Sequence, residues 1–159
     1  MINKLTKRIF ITVAATLLLA IGSQAQTPSD EKPPPLKLVS MKIIPYNRSS
    51  DAFGEDISNE KEQFHLNELD LSLFVKVEVN GKPGSIDSTP KEVEITALEG
   101  KKRILSRTVL VGIMNEQGKY FAPAWIYGPI CQPLTIEARI VGQAQPSVIK
   151  KRLVFQCGE

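Results

Sequence analysis

Hydrophobic and polar residues alternate most regularly between Leu69 and Val79. Six odd-numbered positions in this stretch are leucine or valine, and most even-numbered positions are polar or charged. Because successive side chains of a strand point to opposite faces, the alternation predicts a β-strand with one buried and one solvated face. Full burial of the apolar row contributes on the order of 10 kcal/mol. Phe74 interrupts the solvated face, where it either shields a neighbouring strand or binds a partner.

The same period of two recurs in six other stretches that are separated by turn sequences. The predicted strands are 36–44 (ended by Pro45), 92–98, 104–113 (with Gly112 as a candidate bulge), 120–127, 134–141 and 148–156. Turn residues such as Asn80-Gly81 and Glu99-Gly100 connect them. Pro123 lies inside 120–127 and predicts an edge strand or a bulged one, because proline cannot donate a hydrogen bond to a neighbour. About seven strands without a long helical pattern predict an all-β, antiparallel β-sandwich.

The number and spacing of these strands resemble immunoglobulin-like and fibronectin type III-like modules of exported bacterial proteins. The resemblance covers residues 36–159 and implies an Ig-like sandwich. The immunoglobulin disulfide joins two facing sheets, and a tryptophan lies between its cysteines in sequence. Here Trp125 precedes both Cys131 and Cys157. The antibody pattern is therefore absent, and the resemblance implies no immune-type recognition.

The last two predicted strands favour one hairpin register, in which paired residue numbers sum to 289. Apolar residues then face each other at Leu134 and Phe155, Ile136 and Leu153, and Ile140 and Ile149. This register also places Cys157 opposite Gln132, next to Cys131.

The first 25 residues read as a secretory signal peptide. Lys4, Lys7 and Arg8 precede a 13-residue apolar run, Ile9 to Ile21, and small residues flank position 24. That run is shorter than the roughly 20 residues of a membrane span, although an uncleaved anchor remains the alternative. We therefore predict three segments: a signal peptide (1–25), a Pro-rich linker (26–35) and a β-sandwich domain (36–159). Export makes a disulfide between Cys131 and Cys157 the expected pairing, with two unpaired thiols as the alternative.

Removal of the leader changes the charge balance of the chain. The whole sequence carries a net charge of +3, and the leader contains three basic residues and no acidic ones, so the predicted mature chain is neutral. Bulk charge therefore gives no support for nucleic-acid binding. Lys101–Arg103 and Lys150–Arg152 are two basic triplets that either hold an anionic ligand or supply solubility.

The residues available for catalysis are few. His65 is the single histidine, and the sequence contains no nucleophile-elbow, zincin, C-x-x-C or P-loop motif. Asp51, Glu55 and Asp56 in the irregular segment 45–67 offer oxygen ligands without EF-hand spacing. We predict no catalytic, metal or cofactor site. Asn47 begins an N-glycosylation triplet that matters only in a host with that machinery.

Aromatic residues offer the best candidate binding surface. Tyr120, Phe121, Trp125 and Tyr127 lie within eight residues, and Phe74 interrupts a solvated face. We select Tyr120, Trp125, Tyr127 and Phe74 as the candidate surface. Flat aromatic side chains stack on sugars or anchor a protein partner, although ordinary packing is the simpler role. The sequence thus predicts a secreted or periplasmic, non-catalytic module with a protein or glycan partner in the envelope and no membrane span after cleavage. The alternatives are a subunit or assembly factor that adds a partner strand, and a small carboxylate-dependent hydrolase.

Overall fold

Alternating apolar residues fold this chain into two packed β-sheets. The computed structural model describes residues 34–59, 64–65 and 71–156, all of which belong to the second of two units, Lys32–Glu159. The predicted signal peptide, most of the predicted linker, and Cys157 lie outside the described residues.

The described residues form ten strands, and eight of them build two four-stranded antiparallel sheets. Sheet order is β2-β1-β4-β7 in the first sheet and β6-β5-β8-β9 in the second, while β3 and β10 form a short parallel pair. The strands are β1 (Lys37–Asn47), β2 (Ala52–Phe53), β3 (Phe64–His65), β4 (Leu71–Asn80), β5 (Ile86–Glu99), β6 (Lys102–Ile113), β7 (Lys119–Tyr127), β8 (Leu134–Val141), β9 (Val148–Leu153) and β10 (Phe155–Gln156). This confirms the predicted all-β, antiparallel sandwich, and each of the seven predicted strands corresponds to one of the long strands.

The core between the sheets is almost entirely aliphatic. Leu73, Val75, Val77 and Val79 of β4 are fully buried, as the alternation in this segment predicted. The second sheet contributes the equivalent rows of β5 and β8. Among the described residues Phe155 is the single aromatic side chain in the buried core. Most of the aromatic residues therefore lie elsewhere.

All four lateral edges of the sandwich carry a feature that hinders the pairing of another strand. Proline interrupts the edge strand β7 at position 123 and β1 at position 45. Arg107 of β6 and Lys151 of β9 are paired with fully buried isoleucines, so each occupies a core-facing position of an edge strand, although the Arg107 side chain is exposed and Lys151 is half-buried. Inward-pointing charges and prolines are recognised devices against edge-to-edge association.

Pro45 does not end the first strand as predicted, because it lies within β1 opposite Leu73. Its carbonyl accepts a hydrogen bond from the Gly54 amide at 2.8 Å, on the side away from β4. In an antiparallel ladder the N and O of one residue point to the same side. The missing proline N–H therefore removes no bond to β4, and the strand continues to Asn47.

The predicted register of the last hairpin is wrong by two residues. Leu134 pairs with Leu153 and Ile136 with Lys151, so paired numbers sum to 287 instead of 289. The apolar alternation fixes which face each residue occupies, but a shift of two residues leaves that face unchanged. The strand also stops at Leu153, and Phe155 pairs with β3 instead of β8. The register that would place Cys157 opposite Gln132 therefore does not form between β8 and β9.

Candidate binding face

The outer surface of the first sheet gathers most of the aromatic residues of the domain. We call this surface the aromatic face and define it as the outward side chains of β1, β4 and β7 together with Phe53 of β2. Strand pairing arranges it in rows across the sheet. The rows are Tyr46–Ser72–Tyr127, Ile44–Phe74–Trp125, Lys42–Lys76–Pro123, Ser40–Glu78–Phe121 and Lys37–Asn80–Lys119.

Four rings of this face form one contiguous cluster. The Trp125 ring lies 4.9 Å from Phe74 and 5.5 Å from Tyr46, measured between ring centroids. Phe53 closes the cluster at 4.9 Å from Tyr46 and 6.0 Å from Phe74. The rings are tilted or edge-on, which is the geometry that aromatic quadrupoles favour. Mutual contact therefore holds the cluster in a defined arrangement on the sheet.

Solvent reaches much of this apolar surface. Phe53 is 58% exposed and Tyr127 69% exposed, while Phe121 is 44% exposed further along β7. From Tyr127 to Phe121 the strand spans roughly 20 Å at about 3.3 Å per residue. The face thus presents aromatic side chains along an extended, flat path instead of a closed cavity.

Two lysines interrupt the aromatic path at its middle. Lys42 and Lys76 lie directly opposite each other on neighbouring strands, in the row between Trp125 and Phe121. The Lys76 ammonium sits 5.1 Å from the centroid of the Phe121 ring, a cation–π arrangement. Like charges at directly opposed positions disfavour folding. Within the described ranges neither lysine forms a salt bridge.

The single carboxylate of the aromatic face is already engaged. Glu78 accepts a hydrogen bond from Ser40 at 3.1 Å and forms a 2.8 Å ion pair with Lys119. The hydrogen bond from Lys119 is the main reason that the pKa of Glu78 lies below its usual value, and Ser40 and the charge of Lys76 act in the same direction. With four lysines and this one glutamate, the outward strand positions of the face carry a net charge of +3.

The outer face of the second sheet has a different character. Its outward positions on β5, β6, β8 and β9 contain no aromatic residue in the described ranges, and two of their cross-strand pairs join charges of opposite sign. Arg139 bonds Glu94 at 2.5 Å, and Lys150 lies 4.0 Å from Glu137. The second sheet thus has cross-strand pairs of opposite charge, whereas Lys42 and Lys76 on the first sheet are a cross-strand pair of like charge.

The sequence-predicted candidates divide between the two sides of the first sheet. Phe74, Trp125 and Tyr127 lie together on the aromatic face. Tyr120 has the opposite parity in β7 and is half-buried against the core. Sequence reasoning missed Tyr46 and Phe53, since the prediction ended the first strand at residue 44 and left the following segment irregular. Their neighbouring places follow from the pairing of β1 with β2.

Two of the three acidic candidates after β1, Asp51 and Asp56, serve the fold, while Glu55 is exposed. The Asp51 carboxylate accepts a hydrogen bond from the Tyr46 hydroxyl at 2.5 Å, which raises the pKa of Tyr46 because the bond favours its protonated form. Asp56 Oδ1 accepts the backbone N–H of Ile43 and of Ser58, each at 3.0 Å. No cluster of three metal-binding side chains occurs among the described residues.

Asp56 holds the loop against the free edge of β1. Desolvation acts to raise its pKa, but the two backbone hydrogen bonds and the charge of Lys42 outweigh it and keep the pKa below the usual value. The Ile57 amide donates to the Ile43 carbonyl at 2.9 Å, and the Ile57 side chain enters the core. Residues 54–58 thus cover the edge of β1 that no long strand occupies.

The remaining sequence candidates do not converge on the aromatic face. Arg103 and Arg152, one from each basic triplet, share a row on the outer face of the second sheet but lie on its opposite edge strands. That separation is roughly 14 Å at about 4.8 Å per strand. The backbone of His65 pairs with Gln156 in the β3–β10 ladder.

The predicted disulfide stays a prediction, because Cys157 lies outside the described residues. The backbone N–H of Cys131 donates to Glu99 Oε1 at 2.8 Å, and no cysteine is free in the part of the chain that the structure describes. Asn47 Oδ1 accepts hydrogen bonds from the Ser49 amide and hydroxyl and from the Ser50 amide, at 2.7–3.1 Å. The glycosylation triplet therefore forms a tight turn at the end of β1.

In the ranges described, no helix has the length and hydrophobicity needed to cross a membrane. No protein-family model matches the chain, and no curated protein matches it in sequence.

Proposed function

We propose that this protein is an exported, non-catalytic binding module of the cell envelope or extracellular space, and that the aromatic face is its contact surface. The single observation that carries the proposal is the position of the rings. Six aromatic residues lie on one solvated sheet face, while the core is aliphatic. A fold that needed these rings for stability would bury them between its sheets, because burial is the source of hydrophobic stabilisation.

Strand order supports a relationship to fibronectin type III-like modules. If the seven long strands are lettered A to G in chain order, the sheets read A-B-E and D-C-F-G. Constant-type immunoglobulin domains instead keep D beside E. Because the fourth strand pairs with the third instead of the fifth, the strand order supports the type III-like variant of the resemblance.

The protected edges favour recognition by a face over recognition by strand addition. A partner strand needs a free ladder of backbone groups. The prolines of β1 and β7, the inward cations of β6 and β9, and the cover formed by residues 54–58 each obstruct such a ladder. These features weigh against the strand-adding assembly factor. The carboxylates of Asp51, Asp56 and Glu78 are committed to structural hydrogen bonds, which weighs against the hydrolase.

Retention on the cell-envelope fraction of the source organism tests the proposal. Tyr127→Ala removes the most exposed ring of the face, and Trp125→Ala removes the centre of the cluster. Leu110→Ala is the matched control, because Leu110 is 62% exposed on the outer face of the second sheet. We expect both aromatic variants to lose retention while the control keeps it. Equal retention of all three proteins, with a β-type circular-dichroism spectrum in each, would refute the proposal.

A further inference from the structure

The lysine pair in the middle of the aromatic face restricts the kind of partner that fits. Lys42 and Lys76 project from directly opposed positions with Cβ atoms roughly 5 Å apart, at a cost to folding that an opposite charge would remove. Glu78, the carboxylate of the face, is bound to Lys119 and Ser40. Asp56, whose carboxylate feels the charge of Lys42, already accepts two backbone hydrogen bonds. An anionic group between the two ammonium groups would relieve their repulsion and be held by both.

The same arrangement argues against three other occupants. A second copy would place one face of charge +3 against another, because a two-fold dimer pairs identical patches. A protein partner would bury lysines at the centre of the contact, although interface cores are depleted in lysine. A lipid surface would have to take up the central lysines together with the rings, since both project from one flat sheet instead of from a loop tip.

We propose that the aromatic face binds an anionic sugar polymer, an inference that rests on the proposed function. The exposed rings of Phe53, Tyr127 and Phe121 pack against the C–H faces of successive sugar rings along the path of roughly 20 Å. Between these contacts, Lys42 and Lys76 bind a carboxylate of the sugar polymer. The flat, open shape of the face suits an extended polymer better than a small ligand, which needs a concave site.

The fluorescence of Trp125 reports ligand binding to the aromatic face directly, because Trp125 is the single tryptophan of the chain and lies at the centre of the face. We would titrate the mature protein with polygalacturonate and alginate oligomers and follow tryptophan fluorescence. Maltohexaose supplies sugar rings without charge, and poly-L-glutamate supplies carboxylates without sugar rings. Vesicles of anionic phospholipid supply the lipid alternative.

Binding of a carboxylated oligomer, with weak or no binding of the two reference polymers and the vesicles, is the expected result. The double variant Lys42→Gln/Lys76→Gln should weaken that binding about tenfold or more, since each lysine contributes a charge-assisted contact. Tyr127→Ala should weaken it as well. Lys150→Gln, which removes a lysine that is 63% exposed on the opposite sheet, should leave it unchanged.

Three results would overturn the inference: equal binding of poly-L-glutamate, which needs charge alone; binding of vesicles only; or no binding of either carboxylated oligomer. The envelope experiment separates these failures from failure of the proposed function. If Tyr127→Ala loses envelope retention while the oligomers do not bind, the face is a contact surface for another partner. If retention also survives that variant, both proposals fall.

Discussion

Replacement of Asp56 by alanine tests how the open edge of β1 is stabilised. The carboxylate accepts the N–H of Ile43, a residue whose side chain is fully buried, and the N–H of Ser58. A hydrogen bond to a charged group contributes about 1.5–3 kcal/mol, but Asp56 itself is exposed and water partly replaces it. We therefore expect Asp56→Ala to lower the free energy of unfolding by about 1–2 kcal/mol, and the melting temperature by roughly 5 °C.

Urea denaturation followed by Trp125 fluorescence and far-ultraviolet circular dichroism measures this change. Asp87→Ala is the matched control, because Asp87 also accepts two hydrogen bonds, from the amide and hydroxyl of Thr89, but these lie in the exposed, irregular start of β5. We expect the control to lose less than about 0.5 kcal/mol. Equal stability of Asp56→Ala and the wild-type protein at neutral pH would refute this account of the edge.

Acidification should reduce the difference between the wild type and Asp56→Ala. The pKa of Asp56 in the folded protein lies below its value in the unfolded chain. Its contribution to stability is therefore complete above the unfolded pKa of about 3.9 and is lost as the pH falls through the folded pKa. The two unfolding curves should converge below about pH 4, and a difference that stayed constant there would show that the charge of Asp56 plays no part.

Four further predictions follow from the packing and the edges. Ile95→Ala should cost about 3–4 kcal/mol of unfolding free energy and Ile95→Val about 1 kcal/mol, because this side chain is fully buried between the sheets; similar urea midpoints for both would contradict its place in the core. Ser72→Ala should cost no more than about 0.5 kcal/mol, since the buried Ser72 hydroxyl has no hydrogen-bond partner among the residues that the structure describes; a loss above about 1 kcal/mol would contradict this. Arg107→Val should make the protein self-associate with rising concentration in light scattering, as the inward charge of β6 is removed, and unchanged scattering would show that another feature protects this edge. Intact-mass analysis without reductant should find the mature chain two hydrogens lighter than its reduced form, and two free thiols would exclude the Cys131–Cys157 bridge.

The fold could be predicted from the sequence wherever a one-residue shift would expose an apolar row. The alternation of β4 and β5 has this property, and both strands bury the predicted residues. The register of the β8–β9 hairpin could not be predicted in this way, because Leu134 stays on the same face of the sheet whether it opposes Phe155 or Leu153. Which of these registers forms depends on the loop geometry after β8, where the Ile140 amide donates to the Ser147 carbonyl at 3.1 Å.

The candidate site was only partly predictable for a related reason. Parity along β7 separates Trp125 and Tyr127 from Tyr120, and it was readable from the sequence. The meeting of Trp125 with Tyr46 and Phe53 was not, because it depends on which strands are neighbours in the sheet. Local patterns report the side of a strand on which a residue lies, whereas strand order is decided by long-range packing.

Closed edges have a consequence for how such a protein can change over time. When the edge strands cannot pair with a strand of a partner, affinity for that partner must come from outward side chains. The strands that carry those side chains are held together by the aliphatic core, which is a separate set of residues. Substitutions among the outward positions can then alter ligand preference without disturbing the forces that keep the two layers together. A scaffold built in this way can acquire new specificities one residue at a time and still remain monodisperse when many copies are crowded together.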